Sequence, residues 1–329
     1  MLTKRQNLIE TMRGGNPDRF VNQYEAFALI SRTPISAASP RPTLGGPPVV
    51  DAWGVTKAWP TGTPGAFPIH DPEHIVIKDI TRWREYVTAP RTDYPEEAWA
   101  EAVAMAEKVD RSDQFVMAFI APGVFEQCHY LMEIQNCMVN LYQEPEAMHE
   151  LIDYITEYEL RYAEQYCKYI KPDGIFHHDD WGTQASTFMS PDMFEEFFLP
   201  AYQRIYGYYK SHGAKLVVHH SDSYAATLVP YMIEMGIDIW QGVMEANDVP
   251  ALIRQYGGKL TFMGGIDSAH VDRPDWTEKM VAAQVRRACT ECGKKYFIPC
   301  ASQGLPLSTY PGVYDALSRE IDHMSRELF

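Results

Sequence analysis

The chain has 329 residues, 46% of them hydrophobic, enough to bury a large core as one α/β barrel or as two smaller domains. A formal charge of −15 argues against nucleic acid, whose phosphates call for a Lys/Arg surplus, and it disfavours anionic membranes. No segment approaches the roughly 18 uninterrupted apolar residues of a membrane span, the first residues carry no apolar leader, and six scattered cysteines fit reduced thiols, so a cytoplasmic protein is expected.

Residues 3–13 read as a helix stopped by Gly14-Gly15-Asn16-Pro17. From 34 to 72 the chain is rich in proline, including Pro34, Pro40, Pro42, Pro47, Pro48, Pro60, Pro64 and Pro68. Val49, Val50, Trp53, Trp59 and Phe67 lie among them, and this mixture favours an ordered lid or wrap over a disordered linker. After residue 95, strands and helices alternate. Strands are expected at 114–120, 174–178, 215–220, 237–241, 260–263 and 295–299, and helices at 143–170, 191–212, 223–235, 249–257 and 275–292. Ser190-Pro191 is a good helix start. Repeated strand–helix units imply a parallel sheet buried on both faces. A dinucleotide fold is disfavoured, because Gly264-Gly265 lacks the G-x-G-x-x-G spacing. The expectation is an α/β (β/α)₈ barrel forming one domain over 1–329, with 1–95 as helix and lid and 96–329 as the strand–helix repeats.

Three apolar runs end in polar or coordinating side chains: Phe176-His177-His178-Asp179-Asp180, Val218-His219-His220-Ser221-Asp222 and Ile298-Pro299-Cys300. Such endings suggest a metal-assisted or acid–base site at the C-terminal face of a barrel. Strand alternation puts His220 and Asp222 on one side and His219 on the other. The pair can supply zinc ligands, or a base with its orienting carboxylate; it can equally be a buried histidine held by a nearby acid. Cys300 is a candidate thiolate ligand or a small core residue. Glu245, shortly after a strand, can complete a three-ligand zinc site with His220 and Cys300, or be a solvated loop acid. Asp179 and Asp180 repel each other, so one needs a partner or an altered pKa; either can move a proton, and one can cap a helix. Cys289-Thr290-Glu291-Cys292 lacks a second pair, and His149-Glu150 lacks the second histidine of a zinc-protease helix. Trp53, Trp59, Trp181 and Trp240 read as core or as the wall of a pocket for a flat ligand.

From Asn16-Pro17-Asp18-Arg19 to the C-terminal helix the chain resembles the uroporphyrinogen decarboxylase superfamily. The markers are Asp179-Asp180-Trp181-Gly182-Thr183-Gln184 before Ser190-Pro191-Asp192-Met193-Phe194, then His220-Ser221-Asp222, Gly264-Gly265-Ile266-Asp267, and Cys300 before Tyr310-Pro311-Gly312. The resemblance implies a (β/α)₈ barrel with its site at the C-terminal face. The decarboxylases carry an Arg-Gln-Ala-Gly-Arg clamp for the porphyrinogen propionates, and this chain has Tyr24-Glu25-Ala26-Phe27 there. Porphyrinogen decarboxylation is therefore not expected. The closer resemblance is to the methyltransferase branch, whose thiol-acting members use His-x-Cys and a distant Cys on zinc. His220 and Cys300 match that pattern, while Asp222 stands in the middle position. The departure, together with residues 51–89, points to the O-demethylase methyltransferases of anaerobic bacteria.

This implies transfer of a methyl group from a methoxylated aromatic to the Co(I) corrinoid (cobalamin) of a partner protein, with Zn²⁺ or a general acid activating the ether oxygen. The expected metal ligands are His220, Glu245 and Cys300. Asp179, Asp180, His178 and Asp222 are expected in catalysis, and Trp181, Gln184, Gln241 and Tyr24 around the substrate. A homodimer is allowed for. Methylcorrinoid-to-thiol transfer, porphyrinogen decarboxylation and a non-catalytic corrinoid-binding protein are the alternatives.

Overall fold

The computed structural model describes residues 1–63 and 65–329; Pro64, named above in the proline-rich wrap, lies outside the described residues. The chain opens with α1 (Lys4–Met12), where Thr3 and Gln6 cap each other's backbone reciprocally. Among the described residues the strands are β1 (Phe27–Ile30), β2 (Val49–Val50), β3 (Thr56–Ala58), β4 (Phe67–Pro68), β5 (Phe115–Ile120), β6 (Gly174–His178), β7 (Leu216–His220), β8 (Ile239–Val243), β9 (Thr261–Ile266) and β10 (Phe297–Ala301). Seven of them form one sheet in the order β1-β5-β6-β7-β8-β9-β10, parallel throughout. The helices after α1 are α2 (Pro34–Ala37), α3 (Ala100–Glu107), α4 (Val124–Met132), α5 (Ile134–Gln143), α6 (Pro145–Tyr169), α7 (Pro191–Phe197) and α8 (Leu199–Ser211). They continue with α9 (Val229–Glu234), α10 (Val249–Tyr256), α11 (Ser268–Val271), α12 (Glu278–Cys292) and α13 (Val313–Leu328).

Strand alternation sorts the core into two faces. Phe27, Met117, Phe176, Val218, Ile239, Met263 and Ile298, one from each strand of the sheet, belong to a single buried apolar cluster. Their neighbours Val116, Ile175, Val217, Trp240, Phe262 and Phe297 belong to a second cluster shared with the helices. The sheet curls into a barrel-like layer around the first cluster, and contacts between the chain flanking β1 and the end of β10 join its two edges. Each large side chain in it contributes about 1.5–3 kcal/mol by leaving water.

The barrel-like architecture matches the expectation, with seven paired strands in place of eight. At the seam between β10 and β1, side chains and loop backbone make the contacts. Ala301 N donates to Gln23 Oε1 at 3.5 Å, and the Tyr24 hydroxyl donates to Gln303 O at 3.0 Å.

All six expected strands are present within a few residues. Two features differ. The helix expected over 191–212 is two helices meeting at Phe198, because Pro200 in the first turn of α8 has no N–H to continue the ladder. Strand β1 and helices α2, α3, α4, α5 and α11 were not anticipated. β1 is only four residues long, too short to stand out by periodicity.

Gly264-Gly265 lies inside β9, where φ is +153° at Gly264 and +74° at Gly265. A Cβ at Gly264 would stand 2.4 Å from Val243 O, opposite the irregularity in β8 at Gln241/Val243. The glycines thus serve close strand approach. The proline-rich stretch is ordered: β2, β3 and β4 form a small antiparallel sheet, and the Trp53 ring packs edge-on to Tyr158 of α6 at 4.9 Å.

Candidate functional site

The C-terminal ends of β6, β7 and β8 bring three polar side chains into one layer. His178 is the register partner of His220, and His220 of Gln241. All three share the inward parity of Phe176 and Val218, so they cap the apolar interior from above. The two imidazole rings are 4.3 Å apart, and His220 lies 6.5 Å from the Phe176 ring. Asp180, two residues beyond His178, has the same parity. Ligand atoms of His178, Asp180 and His220 all fall within 4.8 Å of one another.

The hydrogen bonds fix the state of each ring. Gln241 Nε2 lies 3.3, 3.5 and 3.2 Å from the carbonyls of Ala301, Ser302 and Gln303, so its Oε1 faces His220. That oxygen accepts from His220 Nδ1. Nε2 of His220 is then a bare lone pair, 3.6 Å from Asp180 Oδ1. Burial, and then the charge on His178, hold the His220 pKa down to about 4, so the ring is neutral.

His178 differs. Its Nδ1 donates to Glu126 Oε2 at 3.0 Å. Burial opposes its charge, but the Glu126 carboxylate, with Asp180 and Asp222 behind it, raises the pKa to about 10. Burial and the neighbouring Asp180 push the Asp222 carboxyl well above the usual range. Asp222 N donates to Asp180 Oδ1 at 2.9 Å, tying the two strand ends together.

A lone pair and a carboxylate oxygen facing each other at this range repel unless positive charge lies beside them. The His178 imidazolium supplies that charge in the metal-free state. The donor set also suits a zinc ion: two imidazoles whose outer nitrogens are held from behind by Glu126 and Gln241, and one carboxylate. To bind it, His178 would give up its proton.

Several expected site residues sit elsewhere. Cys300 is in the apolar interior cluster, its thiol pKa raised by burial, and is not one of the clustered donors. Glu245 lies beyond β8 on an exposed turn, paired with Arg287 at 3.1 Å and grouped with Asp267 and His270. Neither stands with His220 in the donor cluster of His178, Asp180 and His220.

Asp179 has the opposite parity to Asp180 and turns into the barrel wall. Its carboxylate accepts from Phe125 N at 2.9 Å, Glu126 N at 2.8 Å and the Tyr202 hydroxyl, capping the first turn of α4. Trp181 is fully buried on the same outer side, stacked on His219 at 3.9 Å and bonded to Tyr202. Gln184 is exposed on the 182–187 loop. Tyr24 and Gln241 do face inward.

Sequence reasoning missed Glu126, Gln303 and Gly304. Glu126 is a buried acid in the first turn of a helix that follows Pro122-Gly123 directly after a strand, a signal that was available. Gln303 keeps its side-chain Nε2 without a partner. A Cβ on Gly304 would come within 2.7 Å of His178 Cδ2 and 3.0 Å of His220 Cδ2, so only glycine lets this loop lie on both rings.

A cavity of about 330 Å³ adjoins the cluster under the proline-rich wrap, at the C-terminal ends of β1 and β5. None of the three clustered donors lines it. Tyr130 does, and its hydroxyl is 3.4 Å from Glu126 Oε1, so Tyr130 and Glu126 stand between the cavity and His178.

Two solved structures are similar to the chain, the first of them sharing its fold. A methyltransferase from Methanosarcina mazei matches at a TM-score of 0.67 and 16% identity, over 98% of this chain and 99% of that one. A B12-independent methionine synthase from a Shewanella species matches at a TM-score of 0.47 and 18% identity, over 77% of this chain and 74% of that one. No curated protein matches the chain in sequence. The uroporphyrinogen decarboxylase (URO-D) family profile matches residues 50–323, most of the length and all of the strand ends that build the cluster, and the chain belongs to that family.

Proposed function

We propose that the chain is the methyltransferase component of an O-demethylase system, moving a methyl group from a methoxylated aromatic to the Co(I) corrinoid of a partner protein. The observation that carries this reading is the His178–Asp180–His220 cluster, which sets a proton-bearing imidazole beside a bare imidazole nitrogen at the mouth of an apolar barrel. The fold shared with the Methanosarcina methyltransferase supports it.

In the reaction the methyl carbon–oxygen bond breaks, the methyl passes to cobalt, and the aryl oxygen keeps the electron pair. That phenolate leaves readily only if its charge is met. His178 holds a proton at neutral pH that can be handed to this oxygen, and Glu126 behind it steadies the imidazolium. Asp222, its pKa raised by burial and Asp180, is a further acid on the same side. His220 is kept neutral and oriented by Gln241, and Asp180 balances the charge.

Zinc held by His178, Asp180 and His220 would polarise the ether oxygen as a Lewis acid. The three clustered donors contain no sulfur, which weighs against thiol activation as the chemistry.

The test mixes purified protein with a reduced corrinoid protein and a panel of methoxyarenes, and follows the phenol released and the methylated corrinoid. Stoichiometric phenol formation from one class of ether is the expected result. No release from any methoxyarene, with the corrinoid protein shown to be reduced, would overturn the proposal.

A further inference from the structure

The cavity beneath the wrap lies apart from the donor cluster and joins an aromatic interior to a cationic rim. Its walls carry Trp53 and Trp59 from the wrap, Phe119 from β5, Tyr130 from α4, and Tyr158 and Tyr162 from α6. The Trp53 ring stands edge-on to Tyr158, and Tyr158 edge-on to Tyr162 at 6.2 Å. A volume of about 330 Å³ falls within the roughly 300–1,000 Å³ of small-molecule sites. A flat ring gains there from apolar burial and from the edge-to-face contacts that aromatic walls offer.

The charged groups around the cavity sort by whether they are already engaged. Asp51 Oδ1 accepts from Trp53 N at 2.9 Å and Val55 N at 3.0 Å, and Lys57 closes onto Oδ2 at 2.8 Å. Glu159 turns its carboxylate to His177 Nε2 at 2.8 Å in the barrel wall. Arg41 differs. It lines the cavity from an exposed position, and among the described residues no carboxylate stands in ion-pair range of it. Most arginines of this acidic chain do face one. Half-exposed Ser39 also lines the cavity, and its Oγ accepts from Ala52 N at 3.1 Å, which leaves the hydroxyl proton to donate. One short segment thus offers a free positive charge and a free donor, and both suit an anion.

We infer that this cavity binds an aromatic carboxylate as a second ligand, its ring among the aromatic walls and its carboxylate on Arg41 and Ser39. The ligand is not the methyl donor, because Tyr130 and Glu126 separate the cavity from His178. An occupant borders Tyr130, and so stands behind the Glu126 that holds His178, away from the reacting groups. The inference goes beyond the methyl-transfer reading, and its test measures binding alone.

The experiment titrates benzoate, benzamide and cyclohexanecarboxylate into the purified protein by calorimetry. Benzamide keeps the flat ring and loses the charge; cyclohexanecarboxylate keeps the charge and loses the flat ring. Benzoate is expected to bind about fivefold tighter than either analogue. The first difference is the size of one partly exposed ion pair, the second that of an aromatic contact. Arg41→Gln should bring benzoate to the level of benzamide and leave benzamide unchanged. Tyr158→Leu should narrow the preference for benzoate over cyclohexanecarboxylate. His220→Ala should leave all three affinities as in the wild type, because the cavity is separate from the cluster.

No benzoate binding at millimolar concentration, equal affinity for benzoate and either analogue, or a charge preference that survives Arg41→Gln each overturns the inference. So does an undiminished ring preference in Tyr158→Leu. Loss of benzoate binding in His220→Ala also overturns it, since the carboxylate would then sit on a metal in the cluster. Circular dichroism establishes that the variants fold. If Tyr158→Leu or His220→Ala does not fold, the wild-type order, Arg41→Gln and chelator-treated wild type decide.

Discussion

Replacing Asp179 by alanine separates a structural role from a catalytic one. The carboxylate is fully buried and meets three donors: Phe125 N, Glu126 N and the Tyr202 hydroxyl. Removing it leaves all three unmet in the barrel wall, each costing about 1–3 kcal/mol, and some recovery by relaxation brings the total to about 3–5 kcal/mol. With an unfolding entropy of about 2.1 cal/mol/K per residue, a chain of 329 residues should melt about 5 °C lower. Asp179→Asn keeps one acceptor oxygen but points an NH₂ at a donor, so about half the loss is expected. Glu126 sits on the turn that Asp179 caps, so His178 should loosen as well, and turnover should fall without disappearing. Differential scanning calorimetry and phenol release measure the two effects. A melting point within about 1 °C of wild type together with complete loss of turnover would mean that Asp179 reacts directly, against the geometry described.

Protein purified without chelator should carry about one equivalent of zinc, lost in His220→Ala and Asp180→Asn but retained in Cys300→Ser and Glu245→Gln, as elemental analysis would record; zinc loss in Cys300→Ser would restore the sulfur ligand. Gln241→Leu frees the His220 ring and should weaken zinc about 10–100-fold, read by chelator competition. Gly304→Val pushes on both imidazoles, so turnover should drop about 100-fold or more while circular dichroism stays that of the wild type. Metal-free protein should be most stable near neutral pH in urea titrations. His129, its pKa lowered to about 4 chiefly by burial, loses its contribution as pH falls from the ordinary histidine value of about 6.5. His178, raised to about 10, contributes fully below about 6.5 and loses its contribution as pH rises from there to 10. Glu126→Gln should flatten the alkaline side, and an unchanged alkaline slope would refute the Glu126–His178 coupling.

The elements were legible where one chain segment decides the outcome. Apolar runs such as Val217-Val218 and Ile175-Phe176 had to be buried on both faces, and that fixed most strands of a curled parallel sheet. Alternation also separated His220 from His219, and the structure puts His219 on the outer side, where it packs on Trp181. Carried two residues further, the same parity would have separated Asp180 from Asp179 and Trp181, because the chain keeps its alternation past the end of β6.

The site was less legible because its ligand set depends on neighbours in space. Cys300 and Glu245 are suitable donor types at suitable strand ends, yet one faces the apolar interior and the other leaves β8 through an irregular turn toward Arg287. Glu126 and Gln241 matter for the converse reason. Neither is a donor to the cluster, but each grips the outer nitrogen of one imidazole and so decides its charge. A carboxylate behind His178 makes it hold a proton, and an amide behind His220 leaves it neutral. Two residues of one type, paired in register on adjacent strands, thereby acquire opposite chemistry from what stands behind them.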